Sequence, residues 1–283
     1  MSYIYLQNSP VLFVSLCSFI GLMIGSFLNV VIYRLPKRLA QEWLQQRPEL
    51  HGAPVDGAPL YSILTPRSAC PECGHKITWL ENIPLVSYVV LRGRCSQCRA
   101  SISARYPVVE GLTGFISGFT AWHFGCSSDA LAGLIFVWAM LALAFIDIET
   151  QLLPDEITLP LLWGGLLVNL DNTFTDIRSA VVGAAAGYAV LWSVYWCFRL
   201  VTGKEGIGHG DFKLFALIGA WLGWQMLSLV LLFSSLLGSL VGIGLIMTRK
   251  QGRNDPIPFG PYLVAGGFIA LYWGNQLNHF YLE

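Results

Sequence analysis

The chain has 283 residues, 54% of them hydrophobic and only 12% charged, with mean hydropathy +0.57 and a formal net charge of zero. Soluble globular chains carry roughly 25% charged residues, so this one lacks the polar surface to face water on all sides. The balance excludes an ordinary soluble enzyme and predicts an all-α polytopic membrane protein, with membrane lipid and no nucleic acid among its expected partners.

Residues 1–10 contain no Lys or Arg. The positive n-region of a secretory signal is therefore missing, and the first apolar run is expected to remain as an anchor. That run, 11–33, matches the ~20 residues that a bilayer core requires. Gly21, Gly25 and Ser26 suit close helix contacts in lipid. Asn29 lies near its end, and Arg34, Pro36, Lys37 and Arg38 are expected to stop the helix and anchor it. The stretch 34–106 is too charged and proline-rich to span, and reads as a small cytoplasmic insert. Seven further spans are predicted at 107–124, 130–146, 157–170, 179–200, 212–224, 227–248 and 260–277, making about eight transmembrane helices. The expected domains are the first helix (1–33), a zinc-ribbon-like insert (34–106) and a seven-helix membrane domain (107–283).

Charge placement supports this count. With the insert in the cytoplasm and sides alternating, Arg34, Lys37, Arg38, Arg47, Arg67, Lys76, Arg92, Arg94, Arg99 and Arg105 fall inside. Arg199, Lys204, Lys213, Arg249, Lys250 and Arg253 join them, so 16 of 17 are cytoplasmic and only Arg178 lies outside. That is a strong positive-inside bias, with both termini facing outward.

Cys70-Pro71-Glu72-Cys73 and Cys95-Ser96-Gln97-Cys98 form two CxxC pairs 21 residues apart. Four thiolates at such spacing can close a tetrahedral structural zinc site on two turns, with Gly74 and Arg99 as turn residues. Two disulfides are the bland alternative, which a reducing compartment disfavours, and a redox CxxC is another, although two matched pairs favour metal. Cys17, Cys126 and Cys197 fall in or beside spans and read as packing residues.

The predicted topology sets two acidic stretches at the cytoplasmic face. One runs from Asp147 to Glu156, and the other is Gly206-Ile207-Gly208-His209-Gly210-Asp211-Phe212-Lys213. The second could be a mere inter-helix turn whose Asp caps the next helix. A carboxylate at a bilayer edge is nevertheless a functional-site candidate. Peptide hydrolysis by two Asp needs one ionised to activate water and one protonated to assist the carbonyl, a split enforced when two carboxylates lie a few ångströms apart. Asp147 and Asp211 are the candidates, each beside an apolar helix. Asp155, Glu149 and Glu156 are rivals deeper in a polar loop, readable as solvated or helix-start residues. His209 could carry protons or simply be hydrogen-bonded; Lys213 could balance charge near Asp211 or snorkel to the interface.

An ordered set of motifs carries a resemblance. It comprises Gly25-Ser26-Phe27-Leu28-Asn29-Val30-Val31-Ile32-Tyr33-Arg34-Leu35-Pro36, the two CxxC pairs enclosing Glu81-Asn82-Ile83-Pro84 and Leu91-Arg92-Gly93-Arg94, then Arg105-Tyr106-Pro107-Val108-Val109-Glu110, the Asp147–Asp155 stretch and Gly208-His209-Gly210-Asp211. Over nearly the whole chain the sequence resembles the bacterial prepilin peptidases, the type 4 leader peptidases of the GxGD aspartic protease kind. The resemblance implies that Asp147 and Asp211 are catalytic. It also implies that the substrates are type IV prepilins and type II secretion pseudopilins, cut after a Gly to remove a short basic leader at the cytoplasmic face of the inner membrane. Many members then methylate the new N-terminal residue with S-adenosylmethionine, and those with the cysteine insert are typically bifunctional. Because no Gly-rich βα fingerprint is visible, a pocket for that methyl donor is expected from the insert and helix ends. Two rival readings remain beside it: a transporter using Asp147 and Asp211 as an ion site, and a non-enzymatic assembly platform. A zinc protease is disfavoured, since HExxH is absent and the four-cysteine set leaves no open position.

Overall fold

The computed structural model describes residues 9–46, 62, 67–204, 206, 208–248 and 257–282. Arg47, Ile207, Arg249, Lys250 and Arg253, which belong to the charge pattern and the glycine motif above, lie outside the described residues. Within them the backbone is helical almost throughout, and the long helices follow the apolar runs in order. They are α1 (Pro10–Gln46), the short α2 (Val86–Val90), α3 (Arg105–Phe124), α4 (Ser128–Thr150), α5 (Asp155–Val168), α6 (Ile177–Thr202), α7 (His209–Leu222), α8 (Leu227–Met247) and α9 (Gly260–Leu282).

Among the described residues, four stretches are long and apolar enough to cross a membrane by themselves: Pro10–Gln45, Ser128–Thr150, Ile177–Thr202 and Trp224–Leu245. The count of about eight crossings is therefore not confirmed, and helix length is one reason. At 14 residues each, α5 and α7 reach only about 21 Å at 1.5 Å per residue, short of a ~30 Å hydrocarbon core. In α7 every residue from Phe212 to Leu222 except Lys213 is buried, so its apolar surface meets protein. A helix hydrophobic all round is a core helix as readily as a membrane span.

The first helix also departs from expectation. It does not stop at Arg34–Pro36 but runs on to Gln46 with Pro36 inside it. Proline removes one hydrogen bond and bends a helix without having to end it. Leu35 and Leu39, one turn apart, are both buried and give the extension an inner face. Arg38 pairs with Glu42 at 2.7 Å, and Lys37 stands 3.6 Å over the Tyr33 ring, on its outer face.

The chain divides into two compact units, Met1–Trp138 and Ala139–Glu283. In the first, α1 and α3 pack as an antiparallel pair. A Cβ on Gly25 would lie 2.8 Å from the Glu110 Cα, so only glycine allows that approach. Thr113, Ser117 and Thr120 are fully buried along the seam and return their hydroxyls to carbonyls one turn back. Cys17 packs against Ala121 and Leu134, as a packing residue should, whereas Cys197 on α6 is exposed.

The second unit is built around α7. It packs on α6 where Gly183 and Gly219 bring the two backbones together, with no side chain between them. Its far end is locked by Trp221, whose Nε1 donates to the Leu161 carbonyl at 2.7 Å. Asn169 adds two donations at 2.9 Å, to the carbonyls of Ala220 and Trp221, while its Oδ1 accepts from the Phe174 and Thr175 N–H groups. All four bonding positions of a buried amide are thus used, which fixes the height of α7 and of the Asp it carries at its start.

Candidate active site and cysteine cluster

Asp147 lies in the last turn of α4 and Asp211 in the first turn of α7. Their exposures are 5% and 6%, and with Glu110 they are the buried carboxylates among the described residues. Each is held by a backbone N–H at a helix start. Asp147 Oδ2 accepts from Gly260, the first residue of α9, at 3.0 Å. Asp211 Oδ2 accepts from Gly208 at 3.2 Å, closing back on the residue that precedes its own helix. Helix N-termini favour carboxylates through unpaired N–H groups and the backbone dipole. The two groups stand close enough for the charge of Asp147 to act on Asp211.

Glycine is what makes this approach possible. A Cβ on Gly260 would sit 2.6 Å from Asp147 Oδ2, and one on Gly210 would sit 2.8 Å from the Leu153 Cβ. The glycine motif thus seats the start of α7 against the loop after α4. The capping reading of Asp211 is accurate as geometry, yet capping does not explain why a second buried carboxylate lies within reach of its charge.

The rival acids are placed differently. Asp155, Glu149 and Glu156 are exposed. Asp155 is engaged by Lys213, whose Nζ reaches its two oxygens at 2.7 and 2.8 Å. Lys213 therefore ties the start of α5 to the start of α7 and is neither a loose snorkelling group nor a partner of Asp211. The His209 ring lies against Tyr195 and Phe212, with centroids at 5.1 and 5.5 Å. Sequence reasoning missed Gly260. Its signal is Pro258-Phe259-Gly260-Pro261, a turn followed by a helix start, but nothing local links it to a residue 113 positions away.

Four cysteines converge in the first unit. The Sγ atoms of Cys70, Cys73, Cys95 and Cys98 all lie within 4.8 Å of one another. Cys70–Cys98 and Cys73–Cys95 are 3.7 and 4.0 Å apart. Tetrahedral Zn–S bonds of about 2.3 Å require sulfurs roughly 3.8 Å apart, so the donor set fits a zinc ion. Each pair sits on a matching turn. Cys70 N–H donates to His75 O and Gly74 N–H to Cys70 O; Cys95 N–H donates to Ala100 O and Arg99 N–H to Cys95 O. Gly74 and Arg99 have φ of 71° and 59°, the turn roles their positions predict. Backbone N–H groups of Cys98 and Gln97 hold the Cys95 thiol down, while burial and hydrogen bonds from the neighbouring sulfurs push Cys98 up, as in a set of thiols that share one negative charge until a metal binds.

Glu81 joins the two turns. Its carboxylate is held down at about 2 by the Ser96 hydroxyl of the second turn and by the N–H and hydroxyl of Thr78. It also lies 3.3 Å from the His75 ring of the first turn.

Comparison with known proteins matches two family models to the chain. Residues 19–124 match the bacterial peptidase A24 N-terminal domain, and residues 134–243 match the type IV leader peptidase family. A prepilin leader peptidase/N-methyltransferase of Aeromonas hydrophila is 54% identical over 275 residues, 96% of this chain and 95% of that protein. Proteins of the same name from Pseudomonas aeruginosa and Burkholderia pseudomallei are 50% and 47% identical. They cover 99% and 93% of this chain, and 97% and 85% of their own lengths. No solved structure matches the chain.

Proposed function

The chain belongs to the type IV leader peptidase family, and from that premise we propose that Asp147 and Asp211 are the acid–base pair of its peptidase. The enzyme is a membrane aspartic endopeptidase that removes the short basic leader of type IV prepilins and pseudopilins after a Gly. The same chain methylates the new N-terminal residue. The observation that carries the reading is the pair of buried carboxylates in one unit, each pinned by a backbone N–H and near enough for one charge to act on the other.

Hydrolysis on this pair runs as follows. The ionised carboxylate takes a proton from water, and the hydroxide oxygen attacks the scissile carbonyl carbon. The protonated partner donates its hydrogen to the carbonyl oxygen as charge develops there. When the tetrahedral carbon collapses, the C–N bond breaks, the proton held by the first carboxylate goes to the leaving amine, and the second carboxylate takes back a hydroxyl proton as the new carboxyl group forms. Gly260 and Gly208 keep both carboxylates aimed through this exchange. Holding reactants in an attack geometry is worth several kcal/mol.

We place the pair and the cysteine insert at the cytoplasmic face of the inner membrane, with the long helices of both units, about eight, traversing or embedded in the bilayer. A prepilin's apolar helix then lies in lipid, and the bilayer sets which peptide bond meets the pair. Zinc held by Cys70, Cys73, Cys95 and Cys98 is structural, since four thiolates leave no open position. S-adenosylmethionine supplies the transferred methyl group from its sulfonium.

The test is purified enzyme in liposomes with a model prepilin and methyl-labelled S-adenosylmethionine. The expected products are a leader ending in Gly and a mature chain labelled on its N-terminal nitrogen, with one zinc per chain by metal analysis. An intact prepilin alongside a well-folded enzyme contradicts the reading.

A further inference from the structure

The first unit holds the third buried carboxylate, and it stands beside an unsatisfied amide. Asn29, on α1, is 2% exposed. Its Nδ2 donates to the Gly25 carbonyl at 3.3 Å and to the Tyr106 carbonyl of α3 at 3.1 Å. Both amide hydrogens are used, and a flipped amide would set its oxygen against two carbonyl oxygens, so the orientation is fixed. Oδ1 is left buried with no donor. Glu110 stands one turn along α3 from Tyr106 and is 8% exposed. It accepts the Leu85 N–H at 2.9 Å and a hydrogen bond from Ser26, three residues before Asn29. Gly25 packs on the Glu110 backbone, so Asn29 and Glu110 occupy facing sides of one seam about one helical turn, ~5 Å, apart.

This seam has acceptors in surplus. A carboxylate offers about four lone-pair sites and an amide oxygen two, against the two donors named for Glu110 and none for Asn29 Oδ1. An acceptor buried without a donor is costly, and a carboxylate within a lipid-embedded helix pair marks a functional site by default. Leu85 adds a second sign. It holds φ of 60°, rare for a side chain with a Cβ, and strain of this kind gathers at binding sites. The ligand that fits brings donors and positive charge and no acceptor of its own. That describes a primary ammonium, with three N–H groups.

We propose that Asn29 Oδ1 and Glu110 form an ammonium-binding site that serves the methyl-transfer reaction. The inference rests on the methylation reading above, a reaction with two sources of this group: the new N-terminus of the cleaved pilin and the α-amino group of S-adenosylmethionine. The site occupies a helix-end seam to which the cysteine insert is fastened through Leu85.

Two comparisons test it on the full-length enzyme in detergent. The first is equilibrium binding of S-adenosylmethionine against its analogue lacking the α-amino group. The second is binding of a cleaved-pilin peptide with a free N-terminus against the same peptide acetylated. The wild type should prefer the ammonium form at least tenfold in one comparison, and which one identifies the source. Glu110→Gln, which keeps an oxygen for the Leu85 N–H and removes the charge, should erase that preference, with folding checked by melting temperature and zinc content. Asn29→Ser, which removes the Oδ1 acceptor and can return its hydroxyl to the Gly25 carbonyl one turn back, should lower it at least threefold and supplies the test if Glu110→Gln does not fold. No preference in the wild type, or an unchanged preference in either folded variant, overturns the site and leaves a buried water as the partner of Oδ1. Failure of the methylation reading looks different: the wild type then transfers no label from S-adenosylmethionine, and the peptide comparison still decides the site.

Discussion

Gly260→Ala isolates the positioning of Asp147 from its chemistry. The added Cβ would lie 2.6 Å from Asp147 Oδ2 and 3.1 Å from its Cγ, while the present N–H to Oδ2 bond is 3.0 Å. The clashing atoms are the end of a side chain, so the carboxylate can swing aside and the fold survives. What is lost is the hydrogen bond and with it the aim of the group. A hydrogen bond to a charged acceptor is worth about 1.5–3 kcal/mol. If that stabilisation is needed in the transition state, kcat falls roughly 10- to 150-fold, at about 1.4 kcal/mol per decade. The assay is leader removal from a model prepilin under saturating substrate, with the melting temperature measured on the same preparation. A folded Gly260→Ala enzyme that cleaves at the wild-type rate would refute the claim that α9 aims Asp147.

Three further outcomes follow from the geometry. Lys213→Met removes the ion pair to Asp155, whose members are 34% and 50% exposed, so the expected loss is only about 0.2–1 kcal/mol of stability after solvent screening. That loss should shrink further in high salt, with cleavage reduced a few-fold at most; a null cleavage phenotype would instead give Lys213 a role in the reaction. Cys70→Ser, and equally any of the other three, should lower zinc from one per chain to near zero; full retention of zinc would remove that sulfur from the metal set. Glu81 should stabilise the insert wherever it is ionised, because its folded pKa of about 2 lies below the ordinary 4.5. The melting-temperature gap between wild type and Glu81→Gln should therefore hold steady from pH 8 to 5 and close as pH drops from about 4.5 toward 2. A gap that widens on acidification would contradict the network drawn around Glu81.

Apolar runs gave the helices to within a few residues, because in this chain an apolar run of 14 or more residues has few other fates. Two features escaped for physical reasons. Past Pro36 the described part of α1 buries Leu39 alone, a face too narrow to read against a proline. Whether a short apolar helix faces lipid or protein is not encoded in its composition, as α7 shows by burying nearly its whole surface inside the second unit. At the site, the burial of Asp147 against the exposure of Asp155 was legible from its position at the end of an apolar run. Its partner was not, since the Gly260 N–H arrives from the far end of the chain. The same holds for Glu110: the motif containing it is plain in the sequence, while its meeting with Asn29 and Leu85 comes only from packing.

The account stands on both acids of the pair being needed for peptide hydrolysis. The measurement that tests this most directly is prepilin cleavage by Asp147→Asn and Asp211→Asn, each isosteric and each keeping an oxygen for its backbone N–H. Both variants should melt within a few degrees of the wild type while losing cleavage by a factor on the order of 10³ or more, as expected for removal of a general acid or base. If either one cuts at the wild-type rate, that Asp is structural, and the role passes to Asp155 or Glu149.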